Sequence, residues 1–168
     1  ASDWSSDVCS SDLLVTEDYG RRLIVETSAL IGPDQPDAAK RYTGSRLQCA
    51  SCHLDAGTAP GQLSLLETDP RYPRPSGRDG MVGDIKLRIQ GCMTRSMNGR
   101  VLPDDSPELN AMALYIKALN ARFKLTEKSR VAVHEPKAFA TPDRAANPTA
   151  GKVVFEARCA RCHGADGL

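Results

Sequence analysis

The sequence predicts an all-α fold on three observations: capped helix starts followed by apolar residues at helical spacing, one cysteine–histidine pentapeptide that occurs twice, and no visible βαβ pattern. Thr16-Glu17-Asp18 supplies a capping hydroxyl and first-turn acids. Tyr19, Leu23, Ile24, Thr27, Leu30 and Ile31 then follow at roughly helical spacing until Gly32-Pro33 ends the helix. Arg41 to Leu47 leads into the first cysteine pair. From Leu54 to Gly80 the chain carries Pro60, Pro70, Pro73 and Pro75 with little period, so a long loop is expected, and loops of that length in compact domains are usually functional. Asp84 to Gly91 reads as a short helix with Ile85, Ile89 and Cys92 on one stripe. Ser106-Pro107-Glu108 is a strong helix start, with an N-cap hydroxyl and Pro at the first helical position, and the helix runs on through Leu109, Met112, Ala113, Ile116 and Leu119. Lys128 to Pro148 reads as a connector, and Gly151-Lys152-Val153-Val154-Phe155 precedes the second cysteine pair.

Composition bounds the function. The chain has 168 residues, 40% hydrophobic and 26% charged, which is ordinary for a globular protein and leaves room for one domain or two small ones. No apolar run approaches the roughly 18 residues of a membrane span. The 22 Lys and Arg against 21 Asp and Glu give +1, which removes the electrostatic case for binding nucleic acid or an anionic membrane surface. With 5% aromatic residues, 13 Gly and 11 Pro, the chain would struggle to fill a core from side chains alone, so another group is expected to supply apolar volume. Asp3 to Leu13, DWSSDVCSSDL, looks like one reading frame of a sequencing-library adapter, and residues 1–13 are set aside as a cloning or assembly scar. Without Asp3, Asp7 and Asp12 the +1 becomes +4, and Trp4 and Cys9 are lost, leaving five cysteines.

Four of those five stand in Cys49-Ala50-Ser51-Cys52-His53 and Cys159-Ala160-Arg161-Cys162-His163, two copies of the C-x-x-C-H signature for covalent haem attachment. Each cysteine sulfur adds across one haem vinyl group, and the adjacent histidine is thereby held under the iron as its proximal ligand. A zinc site does not require a His directly after each pair, and a thioredoxin-like motif needs a βαβ context. Two covalent haems c are therefore expected, on Cys49, Cys52 and His53 and on Cys159, Cys162 and His163.

The motifs resemble those of c-type cytochromes, which implies thioether attachment on the exported side of a membrane and a periplasmic location. The helix from Ser106 resembles the one that closes a class I cytochrome c domain. The implied organisation is a first cytochrome c domain over 14–127 carrying the catalytic haem, a linker over 128–148 and a truncated second cytochrome c domain over 149–168. The distal ligand of the second haem is expected beyond Leu168.

The fifth cysteine lies in Arg88-Ile89-Gln90-Gly91-Cys92-Met93-Thr94-Arg95-Ser96-Met97-Asn98-Gly99. This segment, with Tyr42-Thr43-Gly44-Ser45-Arg46-Leu47 and His53-Leu54-Asp55-Ala56-Gly57-Thr58, resembles the dihaem thiosulfate dehydrogenases from about Tyr19 to the chain end. The resemblance implies an oxidoreductase that joins two thiosulfates into tetrathionate, with Cys92 as the axial thiolate opposite His53. The implied electron acceptor is another cytochrome c or a membrane-bound oxidase. A thiolate lowers an iron potential relative to Met and is also a nucleophile toward sulfane sulfur. If the helix continues, Arg88, Arg95 and Ser96 share a face with Cys92, and the two guanidinium groups would offset repulsion between dianionic substrates and favour the thiolate. The residues alone leave alternatives open. Cys92 could be an inert buried thiol, Met93 or Met97 could supply the axial sulfur of a plain electron carrier, and Arg88 and Arg95 could neutralise haem propionates. Met81 and Met112 read as packing residues and His134 as a solvated side chain. A dihaem carrier without its own substrate and a sulfur-oxidation cytochrome that conjugates thiosulfate to a carrier protein remain as rivals.

Overall fold

The computed structural model describes residues 15–60, 63–77, 79–123, 140, 142–160 and 164–165. The expected scar with Trp4 and Cys9, the connector residue His134, and Cys162 and His163 of the second motif lie outside the described residues.

The segment read as one helix from Thr16 to Ile31 is two, α1 (Glu17–Val25) and α2 (Thr27–Ile31). Thr16 caps α1 as expected, its hydroxyl accepting from Tyr19 N at 3.0 Å. The break at Glu26 comes from Thr27, which is fully buried. Its hydroxyl donates back to the Leu23 carbonyl at 2.6 Å and accepts from Cys49 N at 2.9 Å. A tertiary bond to a residue 22 positions away thus decides a local boundary. α3 (Ile85–Arg95) is longer than the stretch to Gly91, so it runs through Cys92; Asp84 caps it, accepting from Leu87 N at 2.8 Å. α4 (Pro107–Arg122) starts on Ser106, as its sequence requires. α5 (Pro148–Arg158) precedes Cys159 and is capped by Asn147.

The long loop carries more order than its prolines suggest. Besides single helical turns at Asp55–Gly57 and Asp69–Arg71, it ends in a small antiparallel ladder of β1 (Arg74–Pro75) and β2 (Val82–Gly83). The fold is helical with this one short ladder among the described residues. Two strands of two residues leave no alternation to read in the sequence.

The core of residues 15–123 gathers Leu23, Ile24 and Ile31 from α1 and α2, Leu65 and Leu66 from the loop, Met93 from α3, and Leu109, Met112, Tyr115, Ile116 and Leu119 from α4. Burying each large aliphatic side chain contributes about 1.5–3 kcal/mol. α1 and α4 cross so closely that a Cβ on Gly20 would collide with the Ala111 carbonyl, which makes glycine necessary there. Burial, then the Glu108 carboxylate beside it, pushes the Tyr19 hydroxyl up to about 12, so it stays a neutral donor at the edge of this crossing.

Candidate functional site

The first haem motif is a single turn, Cys49–Ser51, followed by Cys52 and His53. α2 holds it from below: Thr27 takes the Cys49 N–H, and Ser28 N donates to Gln48 Oε1 at 3.0 Å. Gln48 and Ser51 close a reciprocal cap on the turn. The His53 ring places Nδ1 2.5 Å from the Leu63 carbonyl, an arrangement in which Nδ1–H donates and Nε2 is left as a metal-binding nitrogen.

The segment after α3 is clasped to the segment before the motif. Gly44 N and Ser45 N both donate to the Met97 carbonyl, at 3.0 and 3.2 Å, and Arg100 N donates to the Tyr42 carbonyl at 2.9 Å. Asn98 turns the chain in the left-handed region at φ 47°. A Cβ on Gly44 would strike the Asn98 carbonyl and one on Gly99 the Tyr42 carbonyl, so two glycines permit the contact. The Arg100 guanidinium sits 4.3 Å above the Tyr42 ring and bonds the carbonyls of Ala39 and Arg41.

Within α3, Cys92 is half-buried and its sulfur accepts from Arg88 Nη1 at 3.2 Å. Burial raises the Cys49 thiol above its ordinary range. The Thr27 hydroxyl opposes this, and Cys92 and Cys52 add to it. The two methionines flanking Cys92 are core residues: Met93 is 1% exposed and Met97 5%. Arg95 does not follow Arg88 toward the sulfur; its guanidinium folds back over Gly91. Ser96 is the exposed C-cap, its N–H bonded to the Cys92 carbonyl. Cys159 is half-buried and is the C-cap of α5.

Between the hairpin and α3 lies an open cavity of about 660 Å³, lined among others by Arg74, Asp79, Arg88, Gly91 and Arg95. Cys92 is not part of its lining; Arg88 belongs to both. Asp79 accepts from Met81 N at 3.0 Å, and that bond and the Ser76 hydroxyl hold its carboxyl below the ordinary range, with Arg95 adding to the shift. Sequence reasoning passed over Leu63, Gln90 and the hairpin. Gln90 is buried and brackets Leu102, accepting from its N–H at 2.9 Å and donating to its carbonyl at 2.6 Å. An uncharged Gln beside a motif rich in Arg and Cys gives no signal of this in the sequence.

Residues 39–124 match the family described as SoxA/TsdA, cytochrome c domain. The chain belongs to the SoxA/TsdA cytochrome c family. Among its relatives, the chain is 32% identical over 151 residues to a thiosulfate dehydrogenase of Thiomonas intermedia, an alignment covering 90% of this chain and 47% of that protein. It is 34% identical over 126 residues to a thiosulfate dehydrogenase of Psychrobacter arcticus, covering 74% of this chain and 37% of that one. A solved structure, the as-isolated form of the thiosulfate dehydrogenase TsdBA from Marichromatium purpuratum, superposes with a TM-score of 0.66 at 26% identity, covering 90% of this chain and 32% of that chain. The chain thus spans about half the length or less of these relatives. A cytochrome c domain holds its haem covalently through C-x-x-C-H, and the first such motif lies inside the matched residues. The donor set fits that group: two adjacent thiols, an imidazole with Nε2 left open, and the largely exposed apolar side chains of Leu54 and Leu63 next to the histidine, of the kind a macrocycle would cover.

Proposed function

We propose that the chain is the haem-bearing part of a periplasmic dihaem thiosulfate dehydrogenase, which joins two thiosulfates into tetrathionate and passes the two electrons to an acceptor such as another cytochrome c or a membrane-bound oxidase. The observation that carries this reading is the 3.2 Å hydrogen bond from Arg88 to the Cys92 sulfur, beside a cleft that also receives Arg95. The contact sets a guanidinium donor and a nucleophilic sulfur side by side. The curated relatives above, both thiosulfate dehydrogenases, support the same class of reaction.

Cys49 and Cys52 would hold the first haem c, with His53 through Nε2 and Cys92 through its sulfur as the residues that would ligate the iron. Cys159, Cys162 and His163 would hold a second. The haem supplies a one-electron acceptor when bound, and two of them match a reaction that releases two electrons. The Leu63 carbonyl keeps the His53 ring in one tautomer. Arg88 and Arg95 reduce the repulsion between two dianions brought together in the cleft. Cys92 presents a nucleophilic sulfur where a sulfane sulfur is to be held. The organisation proposed alongside is a catalytic domain over 14–127, a linker over 128–148 and a second haem domain from 149 onward.

Mixing the ferric protein with thiosulfate alone tests the reading. Reduction of the haem together with tetrathionate formation is expected. No spectral change would make the protein a carrier. The SoxA half of the family description favours one other reading, and reactivity that appears only with an added carrier protein would establish it.

A further inference from the structure

We propose that Gly91 is a specificity-determining residue: its missing side chain lets the Arg95 guanidinium lie along α3 inside the cleft, where Arg95 rather than Arg88 grips the anionic substrate. The inference rests on the thiosulfate reading above and assigns separate tasks to the two arginines.

Gly91 stands in the interior of α3, where glycine is the least favourable residue short of proline. No backbone demand accounts for it, because its φ is not among the positive values. Close packing does not account for it either. A Cβ on Gly20, Gly44 or Gly99 would meet a main-chain carbonyl, but one on Gly91 has as its nearest neighbours Nη2, Cζ and Nη1 of Arg95, the latter two at 3.2 and 3.3 Å. The room left by the absent side chain is therefore occupied by a guanidinium group.

That group is available for a ligand. Arg88 has an N–H committed to Cys92 at 3.2 Å. Among the described residues Arg95 has no hydrogen-bond acceptor. Asp79 shares the cavity wall with it but is itself engaged by Met81 N and Ser76. Arg95, Gly91 and Arg74 share the cavity wall, and a planar guanidinium presents several donors to the oxygens of a sulfur oxyanion. A methyl group at position 91 would push away the end of a flexible side chain rather than any backbone, so the variant folds while the guanidinium shifts.

The test uses the haem-loaded protein and measures thiosulfate affinity by calorimetry and by KM for Gly91→Ala, Arg95→Gln and the double variant, with the ferric paramagnetic resonance spectrum and melting temperature of each. Gly91→Ala is expected to weaken binding about tenfold, the scale of one lost charge-assisted hydrogen bond. It should also melt higher than the wild type because alanine favours the helix, and leave the haem spectrum unchanged. The double variant should bind no more weakly than Arg95→Gln alone. Wild-type affinity in Gly91→Ala, a multiplied loss in the double variant, or an altered haem spectrum would each overturn the proposal while the functional reading stands. A wild-type protein that binds no thiosulfate would remove both.

Discussion

Gln90→Met is the sharpest test of how α3 is held. Gln90 and Leu102 are 6% and 1% exposed, and the two bonds between them are 2.6 and 2.9 Å. Methionine is similar in length and volume, so the substitution removes the bonds without opening a cavity. It strands the N–H and the carbonyl of Leu102 together. Each orphaned buried polar group costs about 1–3 kcal/mol, and the better burial of a thioether returns part of this, leaving a net loss of about 2–4 kcal/mol. Against a typical domain stability of about 5–15 kcal/mol this is a large fraction. The assay is urea unfolding of the haem-loaded protein, followed in parallel by haem absorbance and circular dichroism. With an m-value of about 2 kcal/mol/M, in the middle of the usual range, the midpoint should fall by roughly 1–2 M. Gln90→Glu, which keeps an acceptor for the Leu102 N–H but sets a buried carboxylate against its carbonyl, should fall at least as far at neutral pH. A midpoint within about 0.2 M of wild type, less than about 0.5 kcal/mol at such m-values, would refute the claim that this pair anchors the helix bearing Cys92.

Other outcomes follow from the same contacts. Cys92→Met should raise the potential of the first haem in a potentiometric titration, because a thioether donates less to iron than a thiolate, and an unchanged potential would count against ligation by that sulfur. Gly99→Ala presses a methyl against the Tyr42 carbonyl and should cost at least about 2 kcal/mol in denaturant unfolding, whereas Gly151→Ala, in open space on α5, should not destabilise. The Ser28 hydroxyl and then Arg46 hold the Asp34 carboxyl below its ordinary value of 3.8. Its folded pKa being depressed, the contribution is present above that value and is lost as pH falls through the folded one. The melting-temperature gap between wild type and Asp34→Asn should therefore be flat above about pH 5 and close under stronger acid. A gap that widened on acidification would contradict the assignment.

What the sequence made legible was local. Thr16, Ser106-Pro107 and Asp84 act on their own first turns, and α1, α3 and α4 begin on them. The C-x-x-C-H turn is equally self-contained, since three side chains within five residues define it. Features that depend on distant partners were not readable. The break at Glu26 depends on Cys49, the bracketing of Leu102 depends on Gln90, and the hairpin has strands too short for any periodicity. The site divides the same way. Helical spacing correctly brought Arg88 to Cys92, four residues on. The same spacing grouped Arg95 with them, but a long side chain beside a glycine settles over the gap instead.

The clasp between Tyr42–Ser45 and Met97–Arg100 is built mainly from main-chain groups, which every residue but proline carries. Apart from Gly44 and Gly99, which must stay bare, side chains around it can therefore drift over evolutionary time without loosening the clasp. Insertions are a different matter: a single added residue in either strap would shift one half of the grip relative to the other. Length in these two segments should consequently be far less variable among descendants than residue identity.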